Sequence, residues 1–149
     1  TGGTITGVGR YLKAHQPGVR IVLADPVGSG LARWVTDGVL GPDAAYQVEG
    51  IGASRPPEVF DRTVCDAAES VSDDESFAVA RRLHREEGLW VGGSSGTAVA
   101  AALRIAARAA PGSGAVVALL ADGWDRYQSK PWMAEAGPSA YKQGAYNPT

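Results

Sequence analysis

The chain has 149 residues, enough for one domain with a buried core, and its 14 basic side chains nearly balance 16 acidic ones, which excludes a broad positive field for nucleic acid or anionic lipid. The single cysteine, Cys65, excludes an internal disulfide, and His15 and His84 stand far apart with no metal-ligand spacing, so a reducing, cytoplasmic setting is expected. No apolar run approaches the roughly 20 residues that cross a bilayer, and the first residues carry no charged-then-apolar export signal, so no membrane partner is expected.

Thr1-Gly2-Gly3-Thr4 opens the chain ahead of Ile5, Val8, Tyr11 and Leu12, whose spacing predicts a helix over residues 4–14, stopped by Pro17-Gly18. Neither a starting methionine nor a strand precedes this turn, so the expectation is that an upstream segment was removed or belongs to another chain. Residues 19–24, short and rich in β-branched side chains, predict a buried strand. From 28 to 66, glycines and prolines without a sustained period predict mostly loop, with short strands at 44–48 and 63–64. Ser72-Asp73-Asp74-Glu75 matches a capping box, and Phe77, Ala80, Leu83 and His84 continue as a helix closed by Gly88. Residues 89–91 predict a brief strand into Gly92-Gly93-Ser94-Ser95-Gly96, followed by an alanine-rich helix over 97–110. Residues 115–120 predict another buried strand leading to Ala121-Asp122-Gly123, and the tail with Trp132, Tyr141 and Tyr146 gives little signal. Strands alternating with helices predict an α/β fold with a parallel sheet flanked by helices.

Two glycine-rich turns stand out. A helix N-terminus offers unpaired N–H groups and the positive end of a dipole, so it holds a phosphate without a lysine or arginine. Thr1-Gly2-Gly3-Thr4 suits that role, because glycines let the backbone approach and threonine hydroxyls flank them. An ordinary tight turn with a threonine cap fits those four residues equally well. Gly92-Gly93-Ser94-Ser95-Gly96 carries the same pair of readings, phosphate cradle or helix cap. Both turns are expected at carboxyl ends of parallel strands, where one small ligand could touch both.

Thr1-Gly2-Gly3-Thr4-Ile5-Thr6-Gly7 resembles the cofactor phosphate loop Gly-Thr-Gly-Gly-Thr of fold-type II pyridoxal-5'-phosphate (PLP) enzymes, lacking its first glycine. Val48-Glu49-Gly50-Ile51-Gly52, followed by Asp61-Arg62-Thr63-Val64, resembles two segments of cystathionine β-synthases, and Gly92-Gly93-Ser94-Ser95-Gly96 resembles their Gly-Gly-Ser-x-Gly. Order and spacing agree from residue 1 to about residue 133, so the chain resembles the C-terminal portion of the large PLP-binding domain in the cystathionine β-synthase and cysteine synthase family. The resemblance implies that Thr1, Gly2, Gly3 and Thr4 hold the cofactor phosphate, that Ser94 meets the pyridine nitrogen, and that Gly50, Ile51, Gly52 and Ala53 line the substrate. It also implies a homodimer acting on amino-acid and thiol substrates. A neutral hydroxyl at the ring nitrogen does not enforce its protonation, which makes the ring a milder electron sink and favours prompt loss of a β-leaving group. Glu49 is a candidate for gating or proton handling, or a solvated loop acid; Asp122 lies near where the family has an acid close to the ring, or caps its turn. Lys130, Arg10, Arg81 and Arg82 read as exposed charges, and Trp90, Trp124 and Trp132 as packing.

The family's Schiff-base lysine belongs to an N-terminal Gly-Ser-x-Lys-Asp segment, and Lys13, Lys130 and Lys142 lack that context. The expectation is that a missing N-terminal half supplies it. Ala53 stands where cystathionine β-synthases commonly carry tyrosine, as in many O-acetylserine-using cysteine synthases, and Arg55-Pro56 replaces an apolar pair. The resemblance therefore implies β-replacement on serine or an activated serine, with cystathionine formation from serine and homocysteine first and cysteine synthesis from O-acetylserine and sulfide second. A specialised β-substitution with an amine nucleophile and a non-catalytic ligand-binding half-domain stay open.

Overall fold

The computed structural model describes residues 1–134, so Tyr141, Lys142 and Tyr146 lie outside the described residues. Helix α1 (Gly3–His15) leads into strand β1 (Val22–Pro26), helix α2 (Leu31–Asp37), a 3-10 turn (Arg62–Val64), strand β2 (Ala67–Val71), helices α3 (Asp73–Glu87) and α4 (Gly93–Arg108), a second 3-10 turn (Trp124–Tyr127) and the short α5 (Pro131–Ala134). β1 and β2 pair in parallel, with Val22 opposite Ala67 and Pro26 opposite Val71. The α/β architecture with a parallel sheet is as expected.

That ladder explains why β1 starts three residues later than the apolar run suggests. Residues 19–21 lie before the reach of β2, and Ile21 instead exchanges bonds with Asp66: its N–H donates to Asp66 Oδ2 at 2.7 Å, and its carbonyl accepts from Asp66 N at 2.8 Å. The interval 28–66 is not all loop, because α2 forms within it. Leu31 and Val35, one turn apart, are buried together, and Gly38 in the left-handed region closes the helix. Seven residues give less than two full turns, too few to show a period. Residues 63–64 form no strand, since the Asp61 carboxylate accepts from both Thr63 N (3.0 Å) and Thr63 Oγ1 (2.6 Å) and winds the chain into a 3-10 turn. Residues 44–48 are likewise not a strand; the N–H groups of Gln47 and Val48 donate to the Asp73 carboxylate at 2.8 and 3.1 Å rather than to a ladder.

At 89–91 the chain makes only a single antiparallel bridge, Val91 to Gly123. Residues 115–120 also lack strand structure: no ladder partner stands beside them among the described residues, and Val117 is 86% exposed. Apolar, β-branched composition alone does not make a strand without a neighbour to bond. β2 itself carried no distinct sequence signal.

Ser72 caps α3, its Oγ accepting from Glu75 N at 3.3 Å. The reciprocal half of the expected capping box is replaced, because Glu75 turns its carboxylate to Arg104 on α4. Two apolar clusters hold the elements. Leu23, Leu31, Val35 and Phe60 gather Ile5, Trp34 and Ala53 around them, while Val71, Val79, Ala100 and Ala101 join the sheet to α3 and α4. Trp132 stacks on Phe77 with ring centroids 4.7 Å apart, and Trp90 packs against Trp124 at 4.6 Å, so the three tryptophans pack as expected.

Candidate cofactor and substrate site

The first glycine turn is an open helix end. Gly2 caps α1 at φ 78°, in the left-handed region, and its carbonyl accepts from Thr6 N at 3.0 Å to close the first turn. The N–H groups of Gly3, Thr4 and Ile5 are left without an intrahelical acceptor. A Cβ at Gly2 would lie 2.4 Å from the Phe60 Cβ, so the turn is backed by that ring. Gly3 and Thr4 are exposed, and a Cβ at Gly3 would meet only Thr1 Oγ1, at 3.9 Å. The mouth therefore faces open space. Thr6 does not belong to it, because its hydroxyl accepts from Asp61 N at 3.0 Å on the inner side.

The second turn differs. α4 begins at Gly93, four residues earlier than expected, so Ser94 and Ser95 sit in its first turn. Here the glycines are filled by neighbours: a Cβ at Gly92 would come within 2.4 Å of Asp122 Oδ1, one at Gly93 within 2.8 Å of Phe77, and one at Gly96 within 1.9 Å of the Ser76 carbonyl. These three glycines let α3, α4 and the 122–127 segment approach one another. Ser94 and Ser95 are both buried, and Ser95 Oγ has no hydrogen-bond partner.

Between the turns runs the 47–53 loop. Gly52, at φ 76°, packs on Pro26 at the carboxyl end of β1 and on Tyr46, where a Cβ would find their atoms at 2.7 and 2.8 Å. Ala53 is clamped by Ser29, whose Oγ accepts from Ala53 N at 3.1 Å and donates to its carbonyl at 3.2 Å. Ala53 and Ile5 pack on the same Phe60 cluster, so the end of the 47–53 loop is joined to the first turn of α1 through a shared core, while Gly50 stands in open space. Glu49 forms an ion pair with Lys130, whose side chain stays partly exposed.

Electrostatics single out two further groups that sequence reasoning missed. Tyr127 is buried and donates its O–H to Asp122 Oδ2 at 2.6 Å. Burial first, then that bond and the charges of Asp122 and Glu49, push its phenol up to about 12. Asp122 Oδ1 is buried without a partner, and the Asp122 carbonyl accepts from Gly92 N at 3.1 Å, so this acid braces the start of α4. Asp25, fully buried at the end of β1, takes Ala32 N on Oδ2 at 2.8 Å and thereby starts α2. Burial raises its pKa against the lowering effect of Ser29 and the α2 amides. The only sequence signal was Asp25 with Ser29 four residues on, between a strand and a short helix. Arg10 is exposed, as expected, and pairs with Asp61 at 2.8 Å, while Arg81 donates to the Trp132 carbonyl at 3.1 Å.

The donor set fits pyridoxal phosphate. An uncharged helix end flanked by threonine hydroxyls suits its phosphate, and a buried serine hydroxyl in the first turn of another helix suits a neutral ring nitrogen. Comparison with known proteins agrees. Residues 1–122 match the model of the family described as pyridoxal-phosphate dependent enzyme. Cystathionine β-synthase from Rattus norvegicus is 45% identical over 141 residues, covering 92% of this chain and 25% of its own length; the Dictyostelium discoideum protein of that name is 41% identical, with 92% and 28% covered. The chain thus spans about a quarter of the length of the curated relatives it matches. Among solved structures, an O-acetylserine dependent cystathionine β-synthase from Helicobacter pylori superposes with a TM-score of 0.75 at 39% identity, covering 87% of this chain and 40% of that one. O-ureido-L-serine synthase also reaches 0.75, at 32% identity, with 94% and 43% covered. With motifs, fold and relatives in agreement, the chain belongs to the pyridoxal-phosphate dependent enzymes, in the family that includes the cystathionine β-synthases.

Proposed function

We propose that the protein catalyses β-replacement on serine or an activated serine by a thiol, with cystathionine formation from serine and homocysteine as the leading reaction. The observation that supports this is that Gly2 backs onto Phe60 while Ile5 and Ala53 pack on the cluster containing that ring, which ties the open α1 N-terminus and the end of the 50–53 loop to one core. Bound there, pyridoxal phosphate supplies an electron sink for the substrate α-carbon. Thr1, Gly2, Gly3 and Thr4 hold the phosphate through backbone N–H groups and hydroxyls. Ser94 orients the ring through its nitrogen. Gly50, with nothing within 4 Å of a Cβ, leaves room for the substrate at the backbone. The Lys130 partner of Glu49 supports the gating role of that acid over proton handling.

The Schiff-base lysine, in this reading, comes from polypeptide outside these 149 residues. Lys13 is paired with Asp66 at 2.6 Å and Lys130 with Glu49, so neither stands ready for that role. One observation favours the cysteine synthase alternative: Ala53 packs on the Phe60 cluster at the position where cystathionine β-synthases commonly carry tyrosine. The test is reconstitution of the protein with its lysine-bearing segment and PLP, followed by assays of serine and O-acetylserine against homocysteine and sulfide. Visible cofactor absorbance and a thiol-dependent product are expected. Gly3→Asp, which has room to fold, sets a carboxylate in the mouth and weakens PLP binding by about tenfold, the effect of placing one like charge against a phosphate at an exposed helix end. A reconstituted protein that shows no cofactor absorbance, or a Gly3→Asp variant that binds PLP as well as the parent, refutes the assignment.

A further inference from the structure

We infer that Glu49 and Lys130 form a clasp that holds the 49–51 flap closed toward the start of α4, making Lys130 and Tyr127 positioning residues of the candidate site. The inference rests on reading that site as the PLP and substrate site.

The flap is anchored at both ends and loose between them. On one side Gln47 and Val48 are fixed by the Asp73 carboxylate; on the other Gly52 is wedged against Pro26 and Tyr46, and Ala53 is bound both ways by Ser29. Gly50, at φ 77° with open space around it, supplies a hinge that any Cβ would strain. Among the described residues, the Lys130 ion pair is the one polar tether on Glu49, Gly50 or Ile51, beside the packing of the half-buried Ile51 side chain.

Lys130 is itself placed by the second 3-10 turn, its N–H donating to the Tyr127 carbonyl at 2.9 Å. Tyr127 in turn bonds Asp122, and Asp122 accepts from Gly92 N, two residues before Ser94. Lys130, Tyr127 and Asp122, through alternating side-chain and backbone contacts, therefore link the flap to the helix turn that carries Ser94. Opening the flap costs one exposed ion pair, with Glu49 and Lys130 side chains 53% and 38% exposed, so the clasp releases easily and its loss leaves the fold intact.

The test compares the intact protein with Lys130→Met, Glu49→Gln and the charge swap Glu49→Lys/Lys130→Glu. Conformational exchange at residues 50–52, read by amide relaxation dispersion, is expected to show an open population about two- to fivefold larger in either single variant, the factor that an exposed ion pair amounts to, and to return toward the parent in the swap. Unchanged exchange in the single variants, or a swap that behaves as the sum of both, overturns the clasp. In the PLP-loaded protein, Lys130→Met is expected to raise KM for the amino acid about fivefold while kcat stays within about twofold, as loss of positioning does when chemistry is untouched. A fall in kcat at constant KM overturns the positioning role. A parent protein that takes up no PLP sinks the reading of the site, whereas the exchange result judges the clasp itself, so the two failures are distinguishable.

Discussion

Gly96→Ala tests whether the second glycine turn is there for helix packing. A methyl at this position would lie 1.9 Å from the Ser76 carbonyl oxygen, 2.9 Å from its carbon and 3.0 Å from the Ala80 Cβ. Ordinary C···O approach requires α3 and α4 to separate by about 1.5 Å, and the obstacle is backbone, which cannot rotate aside. Overpacking of this kind costs about 3 kcal/mol, while replacing glycine by alanine inside a helix returns about 1 kcal/mol. The clash wins, leaving a net loss of about 2 kcal/mol. Urea unfolding followed by far-UV circular dichroism measures it as a lower midpoint at unchanged slope. Gly7→Ala is the control, since nothing lies within 4 Å of its Cβ in the middle of α1, and it should gain about 0.5–1 kcal/mol. Because α4 carries Ser94 in the turn that would move, the reconstituted Gly96→Ala protein should also lose about 100-fold in kcat/KM. A Gly96→Ala variant as stable as the parent, or a Gly7→Ala variant that falls equally, refutes the argument that packing selects the glycine.

Other expectations follow from single groups. Ser95→Ala removes a fully buried hydroxyl with no partner and should leave stability unchanged or raise it by up to about 1 kcal/mol in the same urea assay. Tyr127→Phe leaves Asp122 without the donor on Oδ2 and should lower stability by about 1–3 kcal/mol. The Asp61 carboxyl is held at about 2 by the Thr63 hydroxyl first, then Arg10 and the Thr63 amide. Its folded-state value lies below the unfolded one, so its stabilising contribution is present above pH 3.8 and is lost as pH falls through about 2; side-chain NMR titration should show this midpoint, and Thr63→Val should raise it. Burial and the neighbouring Asp66 push the Cys65 thiol up to about 11, so a disulfide reagent should label it slowly at pH 8 in the folded protein and fast after unfolding.

The parts legible in the sequence were those decided locally. α1, α3 and α4 carry their period and their caps within a few residues: Gly2, Ser72 and Gly92 stand at the N-caps, and Gly88 closes α3. β2 was missed because Ala-Ala-Glu-Ser-Val has no apolar alternation, and its strand exists through the ladder with β1, with Arg108 on Glu69 and Arg104 on the Ser70 carbonyl outside it. The opposite error fell at 115–120, where strong β composition meets no partner strand. In the candidate site, the two helix starts could be named from glycine placement, whereas Glu49 and Lys130 are 81 positions apart and the Tyr127 to Asp122 bond leaves no pattern that spacing alone would mark. Partnerships between distant polar side chains are set by tertiary approach.

The two glycine-rich turns, alike as strings, separate once each is asked what a side chain there would strike. At Gly3 a methyl meets open space and a hydroxyl at 3.9 Å; at Gly92, Gly93 and Gly96 it meets Asp122, Phe77 and the Ser76 carbonyl, all within 2.8 Å. A glycine facing emptiness at a helix N-terminus leaves its unpaired N–H groups free to meet an outside acceptor. A glycine pressed by neighbours is explained by those neighbours. This contrast supports the proposed placing of the phosphate at the α1 turn, with the α4 turn contributing through its side chains. Ser94 is then the discriminating residue: Ser94→Ala should weaken the hold on the ring while leaving phosphate binding at α1 unchanged, because the backbone it sits on was shaped for α3 and not for an anion. Measured as separate titrations of the reconstituted protein with PLP and with inorganic phosphate, the variant should shift the first and spare the second; an equal loss of both would mean that the α4 backbone also grips the phosphate.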